Sequence, residues 1–419
     1  MGYNPTQQEG FMNKQSTLRR FLRSVYGYAF FNKLLLLTPV YAVFMQENGL
    51  TDIQLSLMFI ILSVGTFVTQ IPVTWITNKL GTKRAILLGL FLKACAFMLW
   101  FLNPTFWGFA IGMFLWGTEV AFYNVAFESM LYDELRARRH QKIYAKVLGI
   151  RYNLQAIGTA LSAFGSLLMF AGYGWITFAS LVSLAVAAMC IASINMRSSQ
   201  NVKRKVRKTN FIKLMKTGVR ICAKTPCILL MFMLSLLVAN IAYLDDYLSP
   251  IGIEVGLPVQ FVGFIQFFIL GCAVLGQTFA YRFTRVKDWI LYSIICAGGV
   301  AFVLFSFFYS LAGLWALGLA YVLFSGVNVL LYSRFQDFVP TTYRSVILSL
   351  YSIGDNIIYI GTCLIIGIGG MLGSWRYSIL GLGMILIGVG AWALLFIRDK
   401  CAIAPTPGAN KVKTTLPVD

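Results

Sequence analysis

Charge is scarce in this chain. Only 12% of its 419 residues are Asp, Glu, Lys or Arg, about half the share of an ordinary soluble domain. Acidic residues are the scarcer kind, 15 against 35 basic ones, for a formal charge of +20. The single histidine, His140, sits in a basic stretch far from any cysteine pair, so no zinc site of ordinary ligand spacing is expected. The eight cysteines are mostly solitary within apolar runs, where cysteine acts as a small hydrophobe, and they suggest no disulfide framework. There is no G-x-x-x-x-G-K-[S/T] loop and no G-x-S-x-G elbow, which removes the sequence basis for an ATP-driven pump or a serine hydrolase. No nucleophile, base and orienting group can be assembled, so neither an enzyme nor a cofactor is expected.

Apolar sequence is abundant instead, at 58% of residues and a mean hydropathy of +0.74. A basic nucleic-acid binder carries its charge on the solvated face of a modestly apolar domain, and apolar runs this long and numerous argue against one. A helix needs about 20 apolar residues to cross a bilayer. Such runs fall near 24–46, 53–77, 85–102, 106–134, 146–170, 173–195, 226–249, 257–281, 289–311, 313–337, 344–372 and 374–398. The expectation is an all-α polytopic membrane protein of about twelve spans, in contact with lipid throughout. The segment before residue 24 is polar and is followed by no small-residue cleavage pattern, so no removed signal peptide is expected.

Basic residues fall almost entirely in alternate connections: before the first run, at Lys79, Lys83 and Arg84, from Arg136 to Lys146, from Arg197 to Lys224, from Arg282 to Lys287, at Arg344, and in the tail. The opposite set of connections holds Arg376 alone, while Lys33, Lys93, Arg151 and Arg334 lie inside runs. Such a bias orients helices with both termini in the cytoplasm, here of a cell (inner) membrane. The chain then divides into a tail (1–23), a six-span half (24–195), a basic linker (196–225), a second six-span half (226–398) and a tail (399–419). Within the linker, Phe211, Leu214, Met215, Val219 and Cys222 recur at helical spacing opposite basic residues. That pattern fits an amphipathic helix on the inner leaflet, and equally a solvated basic linker. The halves echo each other at Tyr144-Ala-Lys-Val147 through Tyr152 and Tyr343-Arg-Ser-Val346 through Tyr351, as duplicated halves of secondary transporters do.

After the second span comes Thr74-Trp-Ile-Thr-Asn78-Lys79-Leu-Gly81-Thr82-Lys83-Arg84. It resembles the G-x-L-A-D-R-x-G-R-R loop of the major facilitator superfamily, with Thr74 in place of the first Gly and Asn78 in place of Asp. The resemblance implies a turn at Gly81 and cations that meet helix ends and carboxylates. The fourth span, from Gly117-Thr-Glu119 through Glu128 to Tyr132-Asp133, is similar to a pattern of a bacterial branch with drug-efflux and siderophore-transport members. Two features of proton-coupled drug exporters are missing: their span-4 Arg would fall at Met113, and no Gly-Pro follows Gly158.

An ionisable residue at mid-membrane costs about 2.5–3.5 kcal/mol on insertion scales, so it faces a cavity or a partner. Lys33 lies about 14 Å into the first span, and Glu119 is about as deep in the fourth. The resemblance places spans 1, 4, 7 and 10 around a central pathway, where Lys33 and Glu119 would meet as substrate and coupling centre or as a structural ion pair. Lys93, in a span off that pathway, is expected to snorkel or pair. Arg151 can reach Glu128, Arg334 has Asp337 three residues on, and Asp355 has no obvious local partner. Asp133 with the arginines after it reads as an inner gate or a charged helix end. Asn240, Tyr243, Asp245 and Asp246 end the seventh span on the extracellular side, where they could form an outer gate, although Asp246 reads rather as a solvated helix end. Tyr123, Tyr243, Phe267 and Tyr332 are candidate cavity walls. Gly149, Gly158 and Gly165, with Gly354, Gly361, Gly369 and Gly373, would allow close contacts where the halves rock.

The resulting expectation is a monomeric, proton-coupled secondary transporter of a small organic solute, anionic or zwitterionic, such as a siderophore-like polycarboxylate. Amphiphilic drug efflux by proton antiport and a non-transporting receptor of the same fold are the alternatives.

Overall fold

The computed structural model describes residues 5–196, 226–283, 286–338 and 344–396. The Phe211–Lys224 pattern and the tail from residue 399 lie outside the described residues. The first half contains α1 (Pro5–Phe31), α2 (Tyr41–Glu47), α3 (Asp52–Leu80), α4 (Thr82–Leu102), α5 (Phe106–Phe122), α6 (Glu128–Ala137), α7 (Tyr144–Ser162) and α8 (Tyr173–Ala192). The second contains α9 (Pro226–Asn240), α10 (Leu248–Glu254), α11 (Val262–Ala280), α12 (Asp288–Phe307), α13 (Leu314–Phe338), α14 (Arg344–Met371) and α15 (Trp375–Phe396). No strand occurs among the described residues, and 11 helical stretches there are long and apolar enough to cross a membrane.

The first span is not one helix. Helix α1 starts at Pro5, inside the expected tail, and stops at Phe31; residues 32–40 form irregular turns before α2. Pro39 has no N–H, and its ring would collide with the carbonyl four residues back. The freed backbone finds other partners: Leu37 N donates to Ser180 Oγ at 2.9 Å, and the Pro39 carbonyl accepts from Ser249 Oγ. The seventh span breaks at the corresponding place. Residues Ile241–Tyr247 tighten to a 3₁₀ turn between α9 and α10, because Pro250 denies the helix its bond to the carbonyl of Asp246.

A second internal repeat follows these breaks, Glu47-Asn48-Gly49-Leu50 and Glu254-Val255-Gly256-Leu257. Gly49 (φ 91°) and Gly256 (φ 96°) both turn the chain through the left-handed region. Each glutamate ties the first span of its half to the last. Glu47 Oε2 accepts from Tyr173 OH at 2.7 Å, and Glu254 Oε2 accepts from Trp375 N at 3.1 Å and Tyr309 OH at 2.8 Å. Burial and the Glu254 carboxylate together push the Tyr309 hydroxyl well above the usual phenol range, so it remains a donor.

In lipid, helix association rests on close packing and hydrogen bonds. Gly112 lets the fully buried Trp100 indole lie against α5, where its Nε1 donates to Phe109 O at 3.3 Å. The halves meet at the end of the bundle away from the start of α1, here called the far end. There Tyr247 OH bonds Ser56 Oγ at 2.9 Å, and the Tyr247 and Phe59 ring centroids are 4.9 Å apart. Gly367 on α14 packs on Ile53 and Ser56, and Gly263 on α11 packs on the Ala163 carbonyl. The deepest of these links is Ser63 Oγ to Asn356 Oδ1, at 3.0 Å.

None of the seven glycines expected where the halves rock has a nearest neighbour in the other half. Gly158 makes its close contact inside its own half, where a Cβ would come 2.6 Å from Phe30 O. Gly361 has nothing within 4 Å of a Cβ position and brings no helix close. On α14 the contact between halves falls to Gly367 and to Gly370, which packs on Asp52.

Candidate substrate and coupling site

The interior of the first half is a chain of polar contacts. Lys93 Nζ on α4 lies 3.5 Å from Glu119 Oε2 on α5, with both side chains about 5% exposed or less. Lys93 also donates to Asn32 Oδ1 at 3.4 Å, and its ammonium lies 5.4 Å from the centre of the Trp116 ring. Asn32 Nδ2 in turn reaches Tyr28 OH at 3.4 Å. Glu119 is therefore paired with Lys93 rather than Lys33, which corrects the expected meeting of Lys33 and Glu119. The break after Phe31 carries the Lys33 side chain into an exposed position, within electrostatic reach of Lys93 on one side and Asp246 on the other.

Between Glu119 and Glu128 the helix makes one π turn, Tyr123–Phe127. On an unbroken α-helix these glutamates would face nearly opposite ways; a π turn absorbs one extra residue and brings them to about 80° apart. Glu119 thereby faces α4, and Glu128 faces α7. Glu128 Oε1 lies 3.5 Å from Arg151 Nη2, as expected for that pair, but the two ends differ in exposure. The Arg151 side chain is 1% exposed and that of Glu128 is 49% exposed. Rings surround the guanidinium, with Tyr152 at 4.4 Å, Phe127 at 5.6 Å and Tyr123 at 5.9 Å. Tyr123 OH accepts from Gln155 Nε2 at 2.9 Å, and Tyr28 packs on Phe127 at 4.7 Å. Arg151 Nε and Nη1 are buried without a hydrogen-bond partner.

In the second half, carboxylates gather around the 3₁₀ turn of the seventh span. Asp246 Oδ1 accepts from Tyr41 OH of the first half at 2.6 Å, and its Oδ2 accepts from Tyr359 OH on α14 at 3.0 Å. Asp246 is thus a bridge between halves, not the solvated helix end expected. Asp245 bonds Tyr321, while its Oδ1 is buried without a partner. Asp355 accepts from Asn240 Nδ2 at 3.1 Å, the partner that local sequence did not reveal. The Tyr243 side chain lies outside the described residues. Of the other expected walls, Phe267 is exposed on α11, and Tyr332 packs on Tyr351 at 5.2 Å.

Arg334 pairs with Asp288 and with the Val286 carbonyl; the side chain of Asp337, its expected neighbour three residues on, lies outside the described residues. At the terminus side, Gly81 turns the chain (φ 81°) and Lys83 Nζ caps the end of α8 through Ala192 O (2.6 Å) and Ile194 O (2.8 Å). Lys79 lies over Trp75 at 3.6 Å, and Asn78 and Arg84 are exposed. The buried acid at the end of α6 is Glu134, 3.1 Å from Arg138; Asp133 is half-buried beside it. Arg138 also reaches Asn195 O at 2.8 Å and Thr17 O at 3.3 Å, clasping the two ends of the half.

Two six-helix halves with broken first spans, charges at mid-depth and contacts gathered at one end define a multi-pass membrane transporter. Residues 24–361 match the model of the Major Facilitator Superfamily, and the chain belongs to that family. It is a secondary transporter and not an enzyme. Several solved structures share its fold. An auto-inhibited POT family peptide transporter matches with a TM-score of 0.67 at 13% identity, covering 93% of this chain and 99% of that one. An inward-facing, occupied bacterial homologue of the human lysosomal transporter Spinster gives 0.65 at 15%, with 97% and 100% covered. The nucleoside transporter NupG gives 0.63 at 12%, with 90% and 97% covered. No curated protein matches the chain significantly in sequence.

Proposed function

We propose that this chain carries a small organic anion or zwitterion across a cell inner membrane in exchange or symport with protons, working as a monomer by alternating access. The basic surplus of the termini and alternate connections puts the terminus side in the cytoplasm and the far end outside. The contacts between halves at the far end correspond to a state closed to the outside. The Tyr41–Asp246–Tyr359 bridge carries the coupling reading. An ionised Asp246 accepts two hydroxyl donors, one from each half, and such charge-assisted bonds are strong ones. Protonation removes the charge that holds Tyr41, so proton uptake loosens the far end. The buried guanidinium of Arg151, with aromatic walls, favours an anionic group on the solute. A cavity for amphiphilic drugs would instead present carboxylates and apolar walls.

The test is transport in proteoliposomes. Counterflow with a panel of polycarboxylates, amino acids and amphiphilic cations identifies the solute class, and an imposed pH gradient should then drive its accumulation. Asp246→Asn should abolish accumulation while leaving counterflow measurable. Accumulation that persists in this variant would remove Asp246 from the coupling, and counterflow of amphiphilic cations alone would overturn the anion reading. Solute binding with no counterflow and no proton movement would point to a receptor.

A further inference from the structure

Arg151 is held in an unusual way for a buried cation. Three rings pack around it, and only Nη2 approaches a carboxylate, at a long 3.5 Å, from a glutamate that is half exposed. Nε and Nη1 are fully buried and bond to nothing. A guanidinium recognises carboxylates best through two parallel N–H donors from its planar fork. Glu128 supplies a single distant oxygen and leaves most of that fork unused. Aromatic packing fixes the plane of the group while its Nε and Nη1 donors stay unused. A buried polar group without a partner costs free energy, which a better-matched ligand recovers.

We propose that Arg151 anchors a carboxylate of the transported solute, and that Glu128 is a stand-in anion which the solute displaces. This rests on the anionic-solute reading above and adds to it a named anchor and a competitor. Glu128 on α6 is half exposed, which leaves it room to swing away, whereas Arg151 stays packed. The solute then enters by exchanging one carboxylate for another at the same guanidinium. The site remains close to neutral throughout, and a cation is not left bare in the membrane interior.

The experiment measures binding to full-length protein in detergent by calorimetry. The probes are citrate, succinate and benzoate, each beside its methyl ester. Glu128→Gln keeps the size of the side chain and removes the competing charge, so the dissociation constant of at least one free acid should fall by about three- to tenfold, the scale of one half-exposed ion pair. The matching ester should show no such gain. Arg151→Lys, which keeps the charge but not the fork, should weaken the same acid at least about tenfold. Binding of the acids that Glu128→Gln leaves unchanged or weakens would overturn the displacement while leaving anion transport intact. Binding of esters as well as acids, or of no acid to either protein, would overturn the anchor and the anionic-solute reading together. Should Arg151→Lys fail to fold, the gain in Glu128→Gln still decides the question.

Discussion

In the first half, the buried charges Lys93, Glu119, Arg151 and Glu134 each meet an opposite charge. Around the 3₁₀ turn of the second half, Asp245 and Asp246 are hydrogen-bonded by phenol hydroxyls instead, with Lys33 only within electrostatic reach of Asp246. An ion pair excluded from water is costly to break, because removing one member strands the other. A carboxylate held by neutral donors can take up a proton and leave nothing uncompensated behind. The first half is thus suited to hold charge and the second to exchange it, and the single bond from Tyr41 to Asp246 joins the two roles.

The contrast is sharpest in the effect of removing one charge. Lys93→Met should destabilise the protein by about 3–5 kcal/mol, since it leaves Glu119 buried alone. Thermal unfolding in detergent would show this, and adding Glu119→Gln should restore most of the loss. If the single and double variants melted together, the pair would not be ionic. Asp246→Asn should cost only about 1 kcal/mol in the same measurement, because its hydrogen-bond partners are neutral and Lys33 is exposed, despite its effect on accumulation.

A smaller effect separates the two tyrosines. Tyr41→Phe and Tyr359→Phe each remove a hydroxyl bond to Asp246, worth about 1 kcal/mol, but only the former crosses between halves. Thiol labelling of a cysteine introduced at the far end should therefore rise in Tyr41→Phe and stay near wild type in Tyr359→Phe. Equal labelling would mean that the bridge does not govern closure. Smallest of all, Gly361→Ala should change stability by less than about 0.5 kcal/mol. Gly367→Ala, whose Cβ would stand 2.8 Å from Ile53 and Ser56 of the other half, should favour opening at the far end.

The spans were legible because hydropathy and helix length obey one rule in lipid. The charged residues that matter inside the membrane were legible for the same reason, since each is costly there. Pairings were not, because they depend on helix phase. A reading that assumes continuous helices cannot see that residues 32–40 turn Lys33 aside or that a π turn re-aims Glu128. Pro39, inside the first apolar run, and Pro250, just past the seventh, stand at the two breaks, yet Pro72 inside the unbroken α3 shows that proline alone marks none. The Glu-x-Gly-Leu repeat was also present in the sequence, but its meaning lies in Tyr173 and Trp375, more than 100 residues away. No local signal marked the π turn.

The Glu47–Tyr173 and Glu254–Trp375 bonds bear on how the chain is made. Each fastens the first span of a half to its last, so each set of six spans closes into a ring without help from the other. A ribosome feeding helices into the membrane could complete the first ring before the second has emerged. Two polypeptides produced separately, divided within residues 197–225, should each close and then dock at the far end into a working carrier. On this view the linker is needed for production in one piece more than for the cycle itself.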